Sequence, residues 1–253
     1  MKFIDMMEII QDEIRSEEFL RSRGVLKTFT NCNNCGSDKL GMIRGDRWKC
    51  YSCKSEWTRR RDSILSLVRM KYAEFILCMK FFELELTAEE TAAQLKLNYK
   101  TIVLLYDEFR KCISNISSLT IKEFTKTMKA NVGSISIVVE GESVCIKFNT
   151  AELNSNNPNI YIRRSRVGKS SSIYEFKFSK LRKNLNVIGN KNFSSLGIFW
   201  RFAKPRLLNF KGTDLKTLLL YLKEIEYRFN HSKVDVFDFL EIAISKNFKR
   251  VVR

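Results

Sequence analysis

The chain has 253 residues, 44% of them hydrophobic, and a formal net charge of +17 with an isoelectric point near 9.6. That length holds one larger core plus one or two small modules. No apolar run approaches the ~20 residues of a membrane span, and Met1-Lys2-Phe3-Ile4-Asp5 lacks the basic-then-apolar layout of a secretory signal, so an intracellular protein is expected, nuclear if eukaryotic.

The charge exceeds what solubility needs and points to a polyanionic partner, nucleic acid before a membrane surface. Seven cysteines, an odd number, argue for a reducing compartment rather than a disulfide framework. Phe3 to Leu20 carries Phe3, Ile4, Met7, Ile10, Ile14 and Phe19 near helical spacing, which predicts one amphipathic helix ending near Gly24.

Cys32, Cys35, Cys50 and Cys53 follow, spaced C-x2-C-x14-C-x2-C. Each pair sits on a tight turn, so two thiolates per turn can converge on one ion, and four sulfurs suit tetrahedral Zn2+ in a zinc ribbon. The loop from Asn31 to Asp46 has almost no apolar residues and cannot fold on burial alone. Metal binding contributes roughly 10–16 kcal/mol in small zinc domains. Such a site is closed and structural. Met42-Ile43-Arg44 and Arg47-Trp48-Lys49 are the predicted strands, with Trp48 and Trp57 covering a small core and Trp57 to Arg61 as a basic exit. Cys78, Cys112 and Cys145 are expected to pack as small apolar residues.

Ile64 to Phe82 is apolar with helical periodicity. In Leu86 to Ile102, Thr87 and Glu90 form a capping box, Leu97 marks a turn, and Asn98 or Lys100 begins a second helix running to about Cys112. This is the pattern of a helix-turn-helix, which would present Asn98, Tyr99, Lys100 and Thr101 to a major groove; helix pairs of this look are also common in helical cores. After Lys129 the texture becomes β-branched and aromatic. Val132–Val139, Ser143–Phe148, Ile160–Arg164 and Ser172–Phe178 predict a four-strand antiparallel sheet or meander. Phe193–Leu208, Asp214–Phe229 and Val234–Phe248 read as helices.

From Asn159 to Gly212 there are 13 Lys or Arg residues against one acid, Glu175. A solvated basic face would interleave acids, so Arg163, Arg164, Arg166, Lys169, Arg182, Lys183, Arg201, Lys204 and Arg206 are expected to hold phosphates.

The order of zinc ribbon, helix-turn-helix and the strand Ile137 to Ser143 resembles Merlin-type, ISXO-like insertion-sequence transposases. Phe199-Trp200-Arg201-Phe202-Ala203-Lys204 is similar to that family's Trp-x-x-x-Lys helix. Tyr221 to Asn230 is similar to its Tyr-Leu-x-Glu-Phe-x-x-Arg-Phe-Asn segment. The resemblance implies an RNase H-like core that cuts and joins DNA with two divalent ions, Mg2+ or Mn2+, held by three acids. It also makes a synaptic homodimer the expected assembly.

The acids do not match. No aspartate lies between Asp107 and Asp214, and the only acids from Asn131 to Thr213 are Glu140, Glu142, Glu152 and Glu175. The first family acid falls on Gly141 or Glu142 and the last on Gly197, which leaves Glu142 as the sole candidate for a retained catalytic ligand. Glu140 and Glu142 are otherwise ordinary strand residues. The expectation is therefore a degenerate or domesticated transposase that binds double-stranded DNA without an intact catalytic triad. The competing readings are an active transposase with divergent acids, and a zinc-ribbon transcription factor meeting a polymerase through Trp48, Trp57 and Arg59.

The expected fold class is α+β and multi-module, with an N-terminal helix (1–30), a zinc ribbon (31–60) and a helix-turn-helix region (61–130). A reduced RNase H-like α/β domain with C-terminal helices (131–253) follows. His231 is the only histidine, which makes Ser-His-Asp or Cys-His chemistry improbable. Val167-Gly168-Lys169-Ser170 lacks the leading glycine of a phosphate loop and reads as a basic turn.

Overall fold

The computed structural model describes residues 2–116, 132–140, 143–149, 160–167, 171–178, 192–208, 215–231 and short pieces at 237–238, 240–241 and 244–245. The chain divides into two compact units. Met1–Cys112 with Val234–Arg253 forms one, and Ile113–Lys233 the other.

In the first unit, the single helix expected over Phe3–Leu20 is two, α1 (Phe3–Ile10) and α2 (Glu13–Ser22). Asp12 is the reason. Its backbone is extended, at φ −129° and ψ 136°, and its carboxylate accepts the Ile14 N–H at 3.1 Å as an N-cap. Ser16 Oγ donates to the Ile9 carbonyl across the break, at 3.1 Å. Gly24 closes α2 at φ 73°, where the sequence places the stop. The run over Ile64–Phe82 is likewise divided. A 3-10 turn (Ile64–Leu67) leads through extended Val68 into α3 (Tyr72–Glu83), whose first N–H groups are capped by Glu13 of α2, with Tyr72 N–H at 2.7 Å. Glu74 Oε2 accepts the Lys71 N–H at 2.7 Å at the same end.

The next two helices, α4 (Ala88–Leu95) and α5 (Tyr99–Ile116), pack on α3. The capping box forms as the sequence predicts. Thr87 Oγ1 accepts the Glu90 N–H at 3.2 Å, and Glu90 Oε2 accepts the Thr87 N–H at 2.8 Å. Lys96, left-handed at φ 53°, ends α4 and turns the chain. Phe75, Phe82, Tyr106 and Phe109 meet edge to face between α3 and α5; Phe82 lies 4.9 Å from Tyr106 and 5.3 Å from Phe109, ring centre to ring centre. A buried hydrogen bond of 2.7 Å joins Thr91 Oγ1 on α4 to the Tyr106 hydroxyl on α5. Cys78 and Cys112 lie in this core, as small apolar residues do. Phe237, Leu240, Glu241 and Ile244 are also buried in this unit, and the Phe237 N–H donates to Glu83 Oε1 at 3.0 Å.

The second unit holds β4 (Val132–Glu140), β5 (Ser143–Asn149), β6 (Ile160–Val167) and β7 (Ser171–Phe178), with α6 (Asn192–Leu208) and α7 (Leu215–Asn230). The sheet is antiparallel and four-stranded, as expected, but it is no meander. Its order is β5-β4-β6-β7, so β6 crosses to the far side of β4. Among the described residues every pairing in this sheet is antiparallel, and they do not display an RNase H-like arrangement.

Edge strand β5 is held at Ile146 by two side chains of α7. Glu226 Oε2 accepts the Ile146 N–H at 2.8 Å, and Lys223 Nζ donates to the Ile146 carbonyl at 3.0 Å. Lys223 and Glu226 also bond each other at 2.7 Å, both buried. At Ile146 two side chains thus satisfy the backbone groups that a fifth strand would otherwise pair. Glu224 and Arg228 form a second buried pair at 2.7 Å, and Phe229 packs 5.0 Å from Phe199. The segment Tyr221–Asn230 accordingly builds the core that joins α7 to α6 and β5.

Candidate metal centre and nucleic-acid interface

The ribbon is a three-stranded antiparallel sheet of β1 (Leu40–Ile43), β2 (Arg47–Cys50) and β3 (Glu56–Thr58). The expected second strand, Arg47-Trp48-Lys49, lies within β2, whereas the expected first, Met42-Ile43-Arg44, is shifted, because β1 starts at Leu40 and stops at Ile43. The third was missed, because Glu56-Trp57-Thr58 is too short for a pattern and reads as a basic exit. Two turns of the same construction hold the cysteines. Cys32 N–H donates to the Ser37 carbonyl at 2.8 Å and Gly36 N–H to the Cys32 carbonyl at 2.9 Å. In the second turn, Cys50 N–H donates to Ser55 and Lys54 N–H to Cys50, both at 2.9 Å.

These turns bring Cys32, Cys35, Cys50 and Cys53 together, with all four sulfurs within 4.8 Å of one another. Cys32 Sγ lies 3.5 Å from Cys53 Sγ, and Cys35 Sγ 3.6 Å from Cys50 Sγ. Those separations are too long for a disulfide, and the cysteines are free. Sulfurs around a tetrahedral zinc, ~2.3 Å from the metal, would lie about 3.8 Å apart, so the quartet could hold a zinc ion with little adjustment.

Donors support the thiolates. The Ser55 hydroxyl lies 3.0 Å from Cys53 Sγ and 3.4 Å from Cys32 Sγ, and the Asn34 N–H donates to Cys32 Sγ at 3.4 Å. The Ser55 hydroxyl and backbone together hold the Cys53 thiol down to about 5, and the same hydroxyl lowers Cys32. At Cys35 a hydrogen bond from the Ser37 backbone works downward, but Cys53, burial, Cys50 and Cys32 outweigh it and push the thiol up to about 12. A divalent cation at the centre would reverse that rise. Among the described residues, this is the one group of three or more His, Cys, Asp or Glu side chains able to share an ion.

Phe29, Trp57, Cys32 and Cys50 form the buried heart of the ribbon, with Trp48 and Leu40 against it; Phe29 and Trp57 meet at 5.6 Å. Trp48 and Trp57 cover this core as expected. Arg59 is also committed internally, bonding Glu17 of α2 and Asp46. Trp57 and Arg59 are therefore poorly placed to meet an outside partner.

The α4–α5 pair separates the four residues expected at a groove. Tyr99 and Lys100 are exposed on the first turn of α5, and Thr101 is half-buried. Asn98 Oδ1 accepts the Lys100 N–H at 2.8 Å, so this side chain serves as the helix cap. A shallow cavity of about 330 Å³ runs along the same face, lined by Tyr99, Lys100, Val103, Leu104, Asp107, Glu108 and Lys111. At its far end Asp107 pairs with Arg110 at 3.3 Å and Glu108 pairs with Lys111.

Of the basic group, Arg201 and Lys204 are exposed on α6. Arg206 is turned onto Phe202, its guanidinium 3.7 Å from the ring centre and bonded to the Phe202 carbonyl at 2.9 Å. Arg163, Arg164 and Arg166 lie on β6, opposite Glu175, Tyr174 and Ser172 of β7. Lys169, Arg182, Lys183 and Glu142 lie outside the described residues.

The chain is similar to a protein of Haemophilus influenzae described as an uncharacterized transposase-like protein, with 35% identity over 63 residues. The match covers 24% of this chain and 51% of that protein, so the chain spans about half the length of the curated relative it matches. No family model and no solved structure matches the chain. Among the described residues, no helix is long and apolar enough to cross a membrane.

Proposed function

We propose that this chain is a transposase-derived protein of the Merlin and ISXO-like kind that binds double-stranded DNA and has lost the complete acid set for cutting it. The 63-residue likeness to a transposase-like protein carries the reading. The cysteine quartet, the α4–α5 pair and the net charge of +17 support it.

In this reading Zn2+ is structural. It ties the two cysteine turns together and so fixes the ribbon against α2 through Arg59 and Glu17. Tyr99 and Lys100 approach base edges and phosphate from the start of α5. Arg201 and Lys204 of the second unit add phosphate contacts of their own, and the chain acts as a homodimer. The loss of cutting rests on the missing acids: the last expected ligand falls on Gly197, the first on Gly141 or Glu142, and no aspartate lies between Asp107 and Asp214.

A titration of labelled duplex with the zinc-loaded chain tests the binding. Lys100→Ala should weaken it several-fold, whereas an unchanged affinity would count against α5 as the reading element. Incubating terminal-repeat and supercoiled DNA with Mg2+ or Mn2+ tests the lost chemistry. Nicking that disappears in Glu142→Ala would establish an active transposase instead.

A further inference from the structure

The two faces of the ribbon sheet differ. Leu40, Trp48, Cys50 and Trp57 alternate onto the core side. Gly41, Lys49 and Glu56 form one cross-strand row on the other side, with Ile43, Arg47 and Thr58 beside it. On that outer side Gly41 answers a packing demand. A β-carbon there would sit 2.6 Å from Cε2 and 2.7 Å from the hydroxyl oxygen of Tyr51. The phenol ring therefore reaches back from the second cysteine turn and fills the space over β1. Its backbone is fixed by the Tyr51 N–H donating to the Lys39 carbonyl at 2.9 Å, and the residue remains 50% exposed.

The surroundings of the ring are cationic. Lys49 lies directly across from Gly41, and Arg47 is two residues away on the same strand face. Glu56 pairs with both, at 3.1 Å from Lys49 and 3.5 Å from Arg47. One carboxylate between two cations leaves this row positive, and exposed Lys39, whose carbonyl accepts the Tyr51 N–H, adjoins the turn that carries the ring.

We propose that this outer face takes single-stranded nucleic acid, with an unpaired base stacked on Tyr51 and adjoining phosphates held by Lys49 and Arg47. The inference rests on the DNA-binding reading and adds to it a site for an unpaired strand. A ring packed on one side and open to water on the other loses little freedom on stacking, and every base offers it a π face. Paired bases hide those faces within the duplex, so the platform selects unpaired nucleotides. The cations supply the attraction to the backbone, whatever the sequence.

The experiment compares binding of a labelled oligo-dT strand and a duplex by the zinc-loaded full chain and its variants, with zinc content and circular dichroism measured on each. Tyr51→Leu keeps apolar cover over Gly41 but removes the π face, and should weaken single-strand binding about 10-fold while sparing the duplex. Tyr51→Phe should keep single-strand affinity. Gly41→Ala should lower it by displacing the ring. Equal single-strand affinity for Leu and Phe at position 51 overturns the platform, as does a chain that binds duplex but no single strand. In both cases the DNA-binding reading survives. Binding of neither nucleic acid overturns both.

Discussion

Gly36 and Lys54 occupy the same place in two copies of one turn, each directly after the second cysteine of its pair. Their φ angles are 73° and 63°, and each donates its N–H to the carbonyl of the first cysteine at 2.9 Å. The left-handed backbone is free for glycine but costs a residue with a β-carbon roughly 1 kcal/mol. Lys54→Gly should therefore stabilise the ribbon by about 1 kcal/mol, and Gly36→Ala should destabilise it by a similar amount. Zinc competition with a chromophoric chelator and thermal melting would show both shifts. A destabilising Lys54→Gly or a neutral Gly36→Ala would mean the two turns are not equivalent.

Removing the metal should unfold the ribbon and leave the α1–α5 helices standing. Trp57 is 4% exposed against Phe29 and the cysteines. Chelation, or Cys50→Ser, should shift tryptophan emission to the red while far-ultraviolet helical signal changes little. Loss of both signals together would show that the helical core also depends on the ion.

Glu226 bonds both Lys223 and the backbone of Ile146. Glu226→Ala deletes the carboxylate that balances a buried ammonium and accepts the Ile146 N–H on the edge of β5, and should cost about 3–5 kcal/mol. Denaturant unfolding of the full chain measures this. A change below about 1 kcal/mol would show the pair to be solvated.

Glu241 is 2% exposed, and burial pushes its carboxyl up to about 7 from 4.5. The Arg23 guanidinium at 3.5 Å opposes this, while Asp238 adds to it. A raised acid binds its proton more tightly in the folded state. The unfolded chain ionises first as pH rises past 4.5, so this contribution to stability falls up to about pH 7 and is flat above. Melting temperature should therefore drop between pH 5 and pH 7, and Glu241→Gln should flatten that drop and raise the melting temperature at pH 8. An unaltered profile would show that Glu241 is ionised at little cost.

Short-range signals made the metal site and several boundaries legible in the sequence. The doubled C-x2-C spacing located all four sulfurs, and Thr87 with Glu90 located the start of α4. Alternation of β-branched residues found β4 to β7 within a few positions. The order of those strands was not legible, because alternation identifies a face but not a neighbour, and the crossing of β6 past β4 depends on long-range pairing. The breaks at Asp12 and Val68 were hidden by apolar periodicity that continues across them. Charge counting could not tell Arg206, which packs on Phe202, from exposed Arg201 and Lys204. The clamp on Ile146 was invisible because Lys223 and Glu226 look like any solvent-facing helical pair until a strand edge lies against them.

The measurement that bears most directly on the central claim is duplex affinity as a function of salt. A surface that neutralises six to ten phosphates should lose about 10³–10⁵-fold in affinity between 50 and 200 mM monovalent salt. A steep linear dependence of log affinity on log salt, made shallower by Arg201→Ala with Lys204→Ala, is the predicted result. A nearly flat response, or no duplex binding at low salt, would contradict the account.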